Sequence, residues 1–272
     1  MNGPNSRRGR AAVQAALLLL SVPVVAQDFD EIKHRGSLRV LAVTSRDPDD
    51  FFAPSAGVGF DREVLEAFAR FHRLSLEVVP QTAWDALVPA LLQGKGDVIA
   101  GRFTVTEQRR KAIAFTEEVF PTRNVVVTRR PHPAVTTVEQ LRQVKVGTVK
   151  GTSLAEAVTA AGVPTANVDD SVPSGTLPAA LKAGKVAAVV MGIEDAIAEQ
   201  RRDPEIEVGA FLGPPGALAY GVRKQDTHLR EALDEYLRNY RRSGNWSRLV
   251  VKYFSAQALD VLKKARETAG PP

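Results

Sequence analysis

WDALVPALLQGKGDVIAGRFTVTEQRRKAIAF, residues 84–115, carries a helix, a glycine-marked turn, a buried strand and the start of a second helix in one run. Leu87, Ala90 and Leu91 recur at helical spacing, which predicts a helix over 84–93, ended by Gly94 and Gly96. Asp97 to Ala100 reads as a short apolar strand, and the small-residue turn at Gly101 leads into a second helix over 106–112. Thr104 and Thr106 carry short hydroxyls that suit the first turn of that helix, where free N–H groups and the positive dipole end attract anions. Arg109 follows, and its planar fork of donors matches a carboxylate. The alternative is that Arg109 belongs, with Arg110 and Lys111, to a solvated basic face.

Outward from this stretch the same alternation continues. Strand-like runs LRVLAV (38–43), LEVVP (76–80), NVVVT (124–128), KVGTV (145–149) and VAAVVM (186–191) are separated by helical patterns over 62–71, 138–143, 153–161, 177–183 and 193–201. Further helices are predicted over 227–243 and 245–254. Such alternation builds βαβ units around largely buried sheets, so the fold class is α/β. A hydrophobic fraction of 44% supplies ordinary packed cores. No long linker divides the chain. Two crossings are expected between lobes, 124–129 outward and 218–224 back, the latter after Gly213, Pro214, Pro215 and Gly216. The expected division is 27–126 with 219–272 as lobe 1 and 127–218 as lobe 2.

The start of the chain sets the compartment. Arg7, Arg8 and Arg10 precede an apolar run over 11–25 that is short for a membrane span, which reads as a secretory signal peptide over 1–26, cut after Ala26. An uncleaved anchor is the alternative. There is no cysteine, hence no lipidated cysteine and no disulfide. A soluble periplasmic protein is expected. The leader holds three arginines and no acid, so its removal lowers the formal charge from +5 to +2. Basic residues are dispersed, and 11 Phe, 4 Tyr and 2 Trp form no stacking clusters with arginine, which argues against nucleic acid as a partner. His34, His72, His132 and His228 lack metal-ligand spacing, and no Ser-His-Asp or Cys-His set can be assembled; neither metal nor cofactor is expected.

The 84–115 stretch resembles the signature of the family 3 extracellular solute-binding proteins of ABC importers, a "WDALIPAL…GKxDxIxxGxTxTxER…xxFS" pattern. It matches at Trp84, Asp85, Ala86, Leu87, Pro89, Ala90, Leu91, Gly94, Lys95, Asp97, Thr104, Thr106, Arg109 and Phe115. GFDREVLEAFA from Gly59 and VGTVKGTS from Val146 agree with it. Within the family, EQRRDPEIEV from Glu199 and RRSGNWSRLVVKYF from Arg241 are most similar to the N-terminal binding module of membrane-bound lytic transglycosylases. The short run after Phe254 leaves no room for their catalytic domain, so lytic activity is not expected. The resemblance implies a type II periplasmic-binding-protein fold: two lobes, two crossover strands as hinge, and ligand between.

The resemblance also assigns positions. Trp84 matches the aromatic that packs on the ligand body, Thr104 the hydroxyl beside the ligand carboxylate, and Arg109 the carboxylate clamp, and Gly101 in the adjoining turn is expected to contact the ligand as well. Phe51 and Phe52 follow the first strand, where a second aromatic wall is often offered. Thr152 and Ser153 would present N–H groups from lobe 2. Trp246 is expected to be packing. Amino-acid-binding members carry an Asp where KVAAVVMGIEDA has Gly192, so the acid that pairs with the ligand's α-ammonium is absent, and Glu194 and Asp195 are candidate substitutes. Otherwise these two are solvated helix-start acids. Arg102 stands where a small or apolar residue is usual. Either it joins Arg109 in the cleft, favouring acids without an α-amine, or it turns to solvent or to an acid of the second lobe.

Three functions are consistent with these residues. The first is a monomeric, non-enzymatic binding protein that delivers a small carboxylate to an ABC importer or sensor. The second, from the similarity to periplasmic cyclohexadienyl dehydratases, is an enzyme in which Glu194 acts as the cleft acid. The third is a regulatory module acting on the cell wall.

Overall fold

The computed structural model describes residues 29–44, 51–52, 58–173 and 175–266. The predicted leader and its cleavage point at Ala26 lie outside the described residues. Two five-stranded sheets organise the chain. In the first, β1 (Ser37–Val43) pairs in parallel with β2 (Ser75–Gln81) on one edge and β3 (Val98–Ile99) on the other. The short antiparallel strands β10 (Gly221–Val222) and β4 (Ala114–Phe115) complete the order β2-β1-β3-β10-β4. Period-2 alternation divides β1 between two cores. Leu38, Val40 and Ala42 face the helices Phe60–Phe71, Thr227–Arg242 and Asn245–Phe254, while Leu41 and Val43 face Leu87–Leu92.

The second sheet has the order β7-β6-β8-β5-β9. Its strands are β5 (Phe120–Arg129), β6 (Val146–Gly147), β7 (Val168–Asp169), β8 (Ala188–Gly192) and β9 (Ile206–Leu218). Val125, Val127, Val189 and Met191 fill one core, and Val126, Val146, Ala188 and Val190 fill the opposite one. This is the type II periplasmic-binding-protein arrangement of two α/β lobes. The predicted helices form close to their expected ends.

The chain passes between the sheets along two adjacent antiparallel segments, where Phe120, Pro121 and Thr122 pair with Leu218, Ala217 and Gly216. Residues 124–126, expected in the first lobe, pair with β8 and β9 and thus belong to the second sheet. The run 213–216, expected to precede the return crossing, lies inside β9. Its Pro214 and Pro215 are tolerated because β9 is an outermost strand. Pro80 likewise sits in the outer strand β2. Two helices were not predicted: Phe29–Arg35, and Ala256–Arg266, which buries Ala258 and Leu262 and packs against β5 and the helix Ile193–Arg202.

Candidate ligand-binding cleft

Between the two sheets lies a cleft of about 180 Å³. Its first wall begins at the turn after β3, where Gly101 and Arg102 both have positive φ, 85° and 58°. A left-handed conformation is unfavourable for a residue with a Cβ such as Arg102, so the turn needs external support. Asp61, 3% exposed, supplies it by accepting the N–H groups of Gly101 and Arg102 at 3.0 and 3.1 Å. Tyr220 donates its hydroxyl to the same carboxylate at 3.3 Å. Sequence reasoning missed this role of Asp61, although the residue lies inside the quoted GFDREVLEAFA block.

Phe52 is not a cleft wall. It is fully buried, and a Cβ on Gly101 would lie 3.2 Å from the Phe52 Cβ, so Phe52 backs the turn from within the core. Phe51 also turns inward, its ring 5.2 Å from Phe120 and 5.1 Å from Phe254. Burying two rings in the first core outweighs presenting them to a ligand. Gly101 contributes through the turn and does not line the cleft itself. Trp246 packs as predicted, its indole N–H donating to the Val119 carbonyl at 2.7 Å.

Thr106 caps the helix Glu107–Ala112, its hydroxyl accepting the Arg109 N–H at 3.2 Å. Arg109 is half-buried and lines the cleft, whereas Arg110 and Lys111 are exposed, so Arg109 is not part of their solvated face. Its guanidinium lies 4.2 Å from the Phe103 ring centroid and donates to the Thr104 carbonyl at 2.7 Å. Burial draws its pKa down to about 10, against the opposing pull of Glu156, which leaves it charged at neutral pH.

The second wall comes from three connections. Thr152 caps the helix Ser153–Ala160, and the Ser153 hydroxyl donates across the cleft to Thr104 Oγ1 at 3.0 Å. Gly151, at φ 75°, lies so close to the Trp84 turn that a Cβ there would be 3.1 Å from the Asp85 Cβ. Arg102 Nη1 donates to both Asp195 carboxylate oxygens at 3.1 Å. Arg102 thus lines the cleft beside Arg109 and at the same time pairs with an acid of the second sheet's helix. Together these contacts hold the walls in a closed arrangement.

β8 ends at Gly192, which begins the helix Ile193–Arg202. Glu194 is 4% exposed and takes a hydrogen bond from the Thr122 hydroxyl at 2.8 Å, so it is not a solvated helix-start acid. Burial, with the neighbouring Asp195 charge second, pushes its pKa up to about 8. Trp84, Leu154, Leu177, Met191 and Leu218 give the cleft its apolar surface. Thr122 and Asn124 of β5 also line it and were not singled out in the sequence. The available signal was the polar run Thr122, Arg123 and Asn124 between Phe120 and the apolar residues Val125 to Val127.

The family of bacterial extracellular solute-binding proteins, family 3, matches residues 38–256. The chain is a member of that family. Among its relatives, a probable histidine-binding protein of Campylobacter jejuni is 26% identical over 80% of this chain and 84% of its own length. A membrane-bound lytic murein transglycosylase F of Desulfosudis oleivorans is 25% identical over 85% of this chain but 51% of its own. Among solved structures, a mutant of ArgBP from T. maritima superposes with a TM-score of 0.73 at 31% identity, covering 83% of this solute-binding protein and 98% of that chain. The ancestral amino acid-binding protein AncCDT-1, described as a precursor of cyclohexadienyl dehydratase, gives 0.72 at 25% identity with the same coverages. Among the described residues of the solute-binding protein, no helix is long and apolar enough to cross a membrane.

Proposed function

We propose that this solute-binding protein works in the periplasm, capturing a small amino-acid-like ligand by its carboxylate and delivering it unaltered to an ABC importer. The observation that carries this reading is Arg109: charged, half-buried on the Phe103 ring, facing the cleft and, among the described residues, without an ion-pair partner. A cation so placed gains most from a bidentate anion. The names of the relatives, histidine-, arginine- and amino acid-binding, point the same way. We assign the hinge to the paired segments 120–122 and 216–218, about which the two lobes would part to admit ligand. Thr104, Ser153 and Thr152 would border the carboxylate, and Trp84 would pack on the ligand body. The decisive measurement is ligand-induced thermal stabilisation across the standard L-amino acids and their carboxylate analogues: a stabilising ligand is expected for wild type and none for Arg109→Ala.

A second reading is favoured by one observation, the buried acid Glu194 with its raised pKa, which suits a general acid in a dehydratase. The binding reading expects prephenate and arogenate to decay no faster with the protein than without it. Catalysed loss that disappears in Glu194→Gln would instead establish the enzyme.

A further inference from the structure

Six charged side chains line the cleft: Arg102, Arg109, Glu194, Asp195, Glu199 and Arg202. Arg102 pairs with Asp195 at 3.1 Å, and Arg202 pairs with Glu199 at 2.7 Å. One cation and one acid are left over, Arg109 and Glu194, and among the described residues neither makes an ion pair. The Glu194 carboxyl has a defined position. It folds back over Gly192 so closely that a Cβ there would lie 2.1 Å from its Oε1. Gly192 has φ −67°, which any residue adopts, so glycine is needed for room and not for backbone freedom. The acid missing at 192 and the glycine in its place are thus two halves of one arrangement, in which a longer side chain two residues on fills the same space.

We propose that Glu194, folded over Gly192, is the specificity-determining residue of the cleft and receives an ammonium group of the ligand. This rests on the reading of Arg109 as the carboxylate anchor. The ligand class is therefore zwitterionic at its anchored end, and the position of Asp195, bound to Arg102, takes it out of that role. Binding is also an exchange. In the free cleft Glu194 is protonated near neutrality, held so by burial and by Asp195 against the opposing charge of Arg102. Arg109, Glu199 and Arg202 share the cleft, while Arg123 of the adjoining β5 lies over the Phe211 ring. An arriving ammonium takes the place of that proton. Affinity for such ligands should then rise with pH towards about 8 and level off above it.

The test is calorimetric titration of L-histidine, L-arginine, L-glutamine and the remaining standard amino acids, each against its deamino counterpart, in buffers of different ionisation enthalpy. Wild type should prefer the amine-bearing member of at least one pair, releasing close to one proton per ligand near pH 7. Glu194→Gln should narrow that preference by about tenfold or more, leave the deamino acid bound, and abolish proton release. Gly192→Ala, which displaces the carboxyl, should act in the same direction. A preference that survives Glu194→Gln, or that vanishes instead in Asp195→Asn, overturns the proposal. Arg109→Ala separates the two readings: equal loss of both pair members supports the carboxylate anchor whatever Glu194 does, and unchanged affinity removes that anchor. A wild-type protein that binds no pair overturns both.

Discussion

On the first-sheet wall of the cleft Arg109 stays charged while half-buried, whereas on the second-sheet wall Glu194 is enclosed and gives up its charge near neutrality. The surroundings explain the difference. A guanidinium spreads its charge, rests on the Phe103 ring and keeps a carbonyl acceptor in Thr104 O, so burial costs it less than its high pKa can absorb. For the buried Glu194 carboxyl, desolvation and the Asp195 charge outweigh the Thr122 hydroxyl, its own backbone N–H and the Arg102 charge, so it does better as the neutral acid. One wall is therefore a fixed charge and the other a titrating one.

The largest effect should come from removing the fixed charge. Arg109→Ala is expected to weaken ligand binding by on the order of 2–5 kcal/mol, read by titration calorimetry. Retained affinity would erase the contrast between the walls. Next is the titrating wall, tested without any ligand. Because folding raises the Glu194 pKa from 4.5 to about 8, the folded state binds the proton that the unfolded chain has released. Stability must then fall as pH climbs through that window, and thermal melts of Glu194→Gln should show a shallower decline. A parallel slope in mutant and wild type would mean that the acid titrates normally.

A smaller effect is expected where the walls are tied together. The Arg102 and Asp195 side chains are 25% and 30% exposed, so a double-mutant cycle with Arg102→Ala and Asp195→Ala should give a coupling of about 1 kcal/mol in stability. X-ray scattering of either single mutant should show a more open shape with the preference among ligands kept. The smallest change belongs to Phe52→Leu: a lowered melting temperature from the core and an unaltered affinity, since Phe52 supports the Gly101 turn without reaching the cleft.

The periodic elements were readable because burial pattern and caps are local. The 84–115 stretch yielded the helix, the strand and the placement of Thr106 in the first turn of the second helix, which it caps; the cap at Thr152 was not read from the sequence. What escaped was long-range. Nothing near Phe52 announces that it backs the Gly101 turn, because that turn lies about fifty residues along the chain. Asp61 is some forty residues from the turn it holds. The pairing of Arg102 could not be read locally because its acid, Asp195, comes from a helix of the other lobe, some ninety residues on. The absence of an acid at Gly192 was visible, but the reach of Glu194 back over it depends on helix geometry and on Thr122 of β5.

The outermost strands have a consequence for how copies of this chain meet. β4 and β7 are two residues long, β2 contains Pro80, and β9 contains Pro214 and Pro215, which offer no N–H to a neighbour. A second chain finds only a two-residue ladder at β4 and β7 and one interrupted by proline at β2 and β9, which disfavours edge-to-edge pairing of the sheets. Contacts with other molecules are thereby favoured at the helical faces and loops over the rims of the sheets.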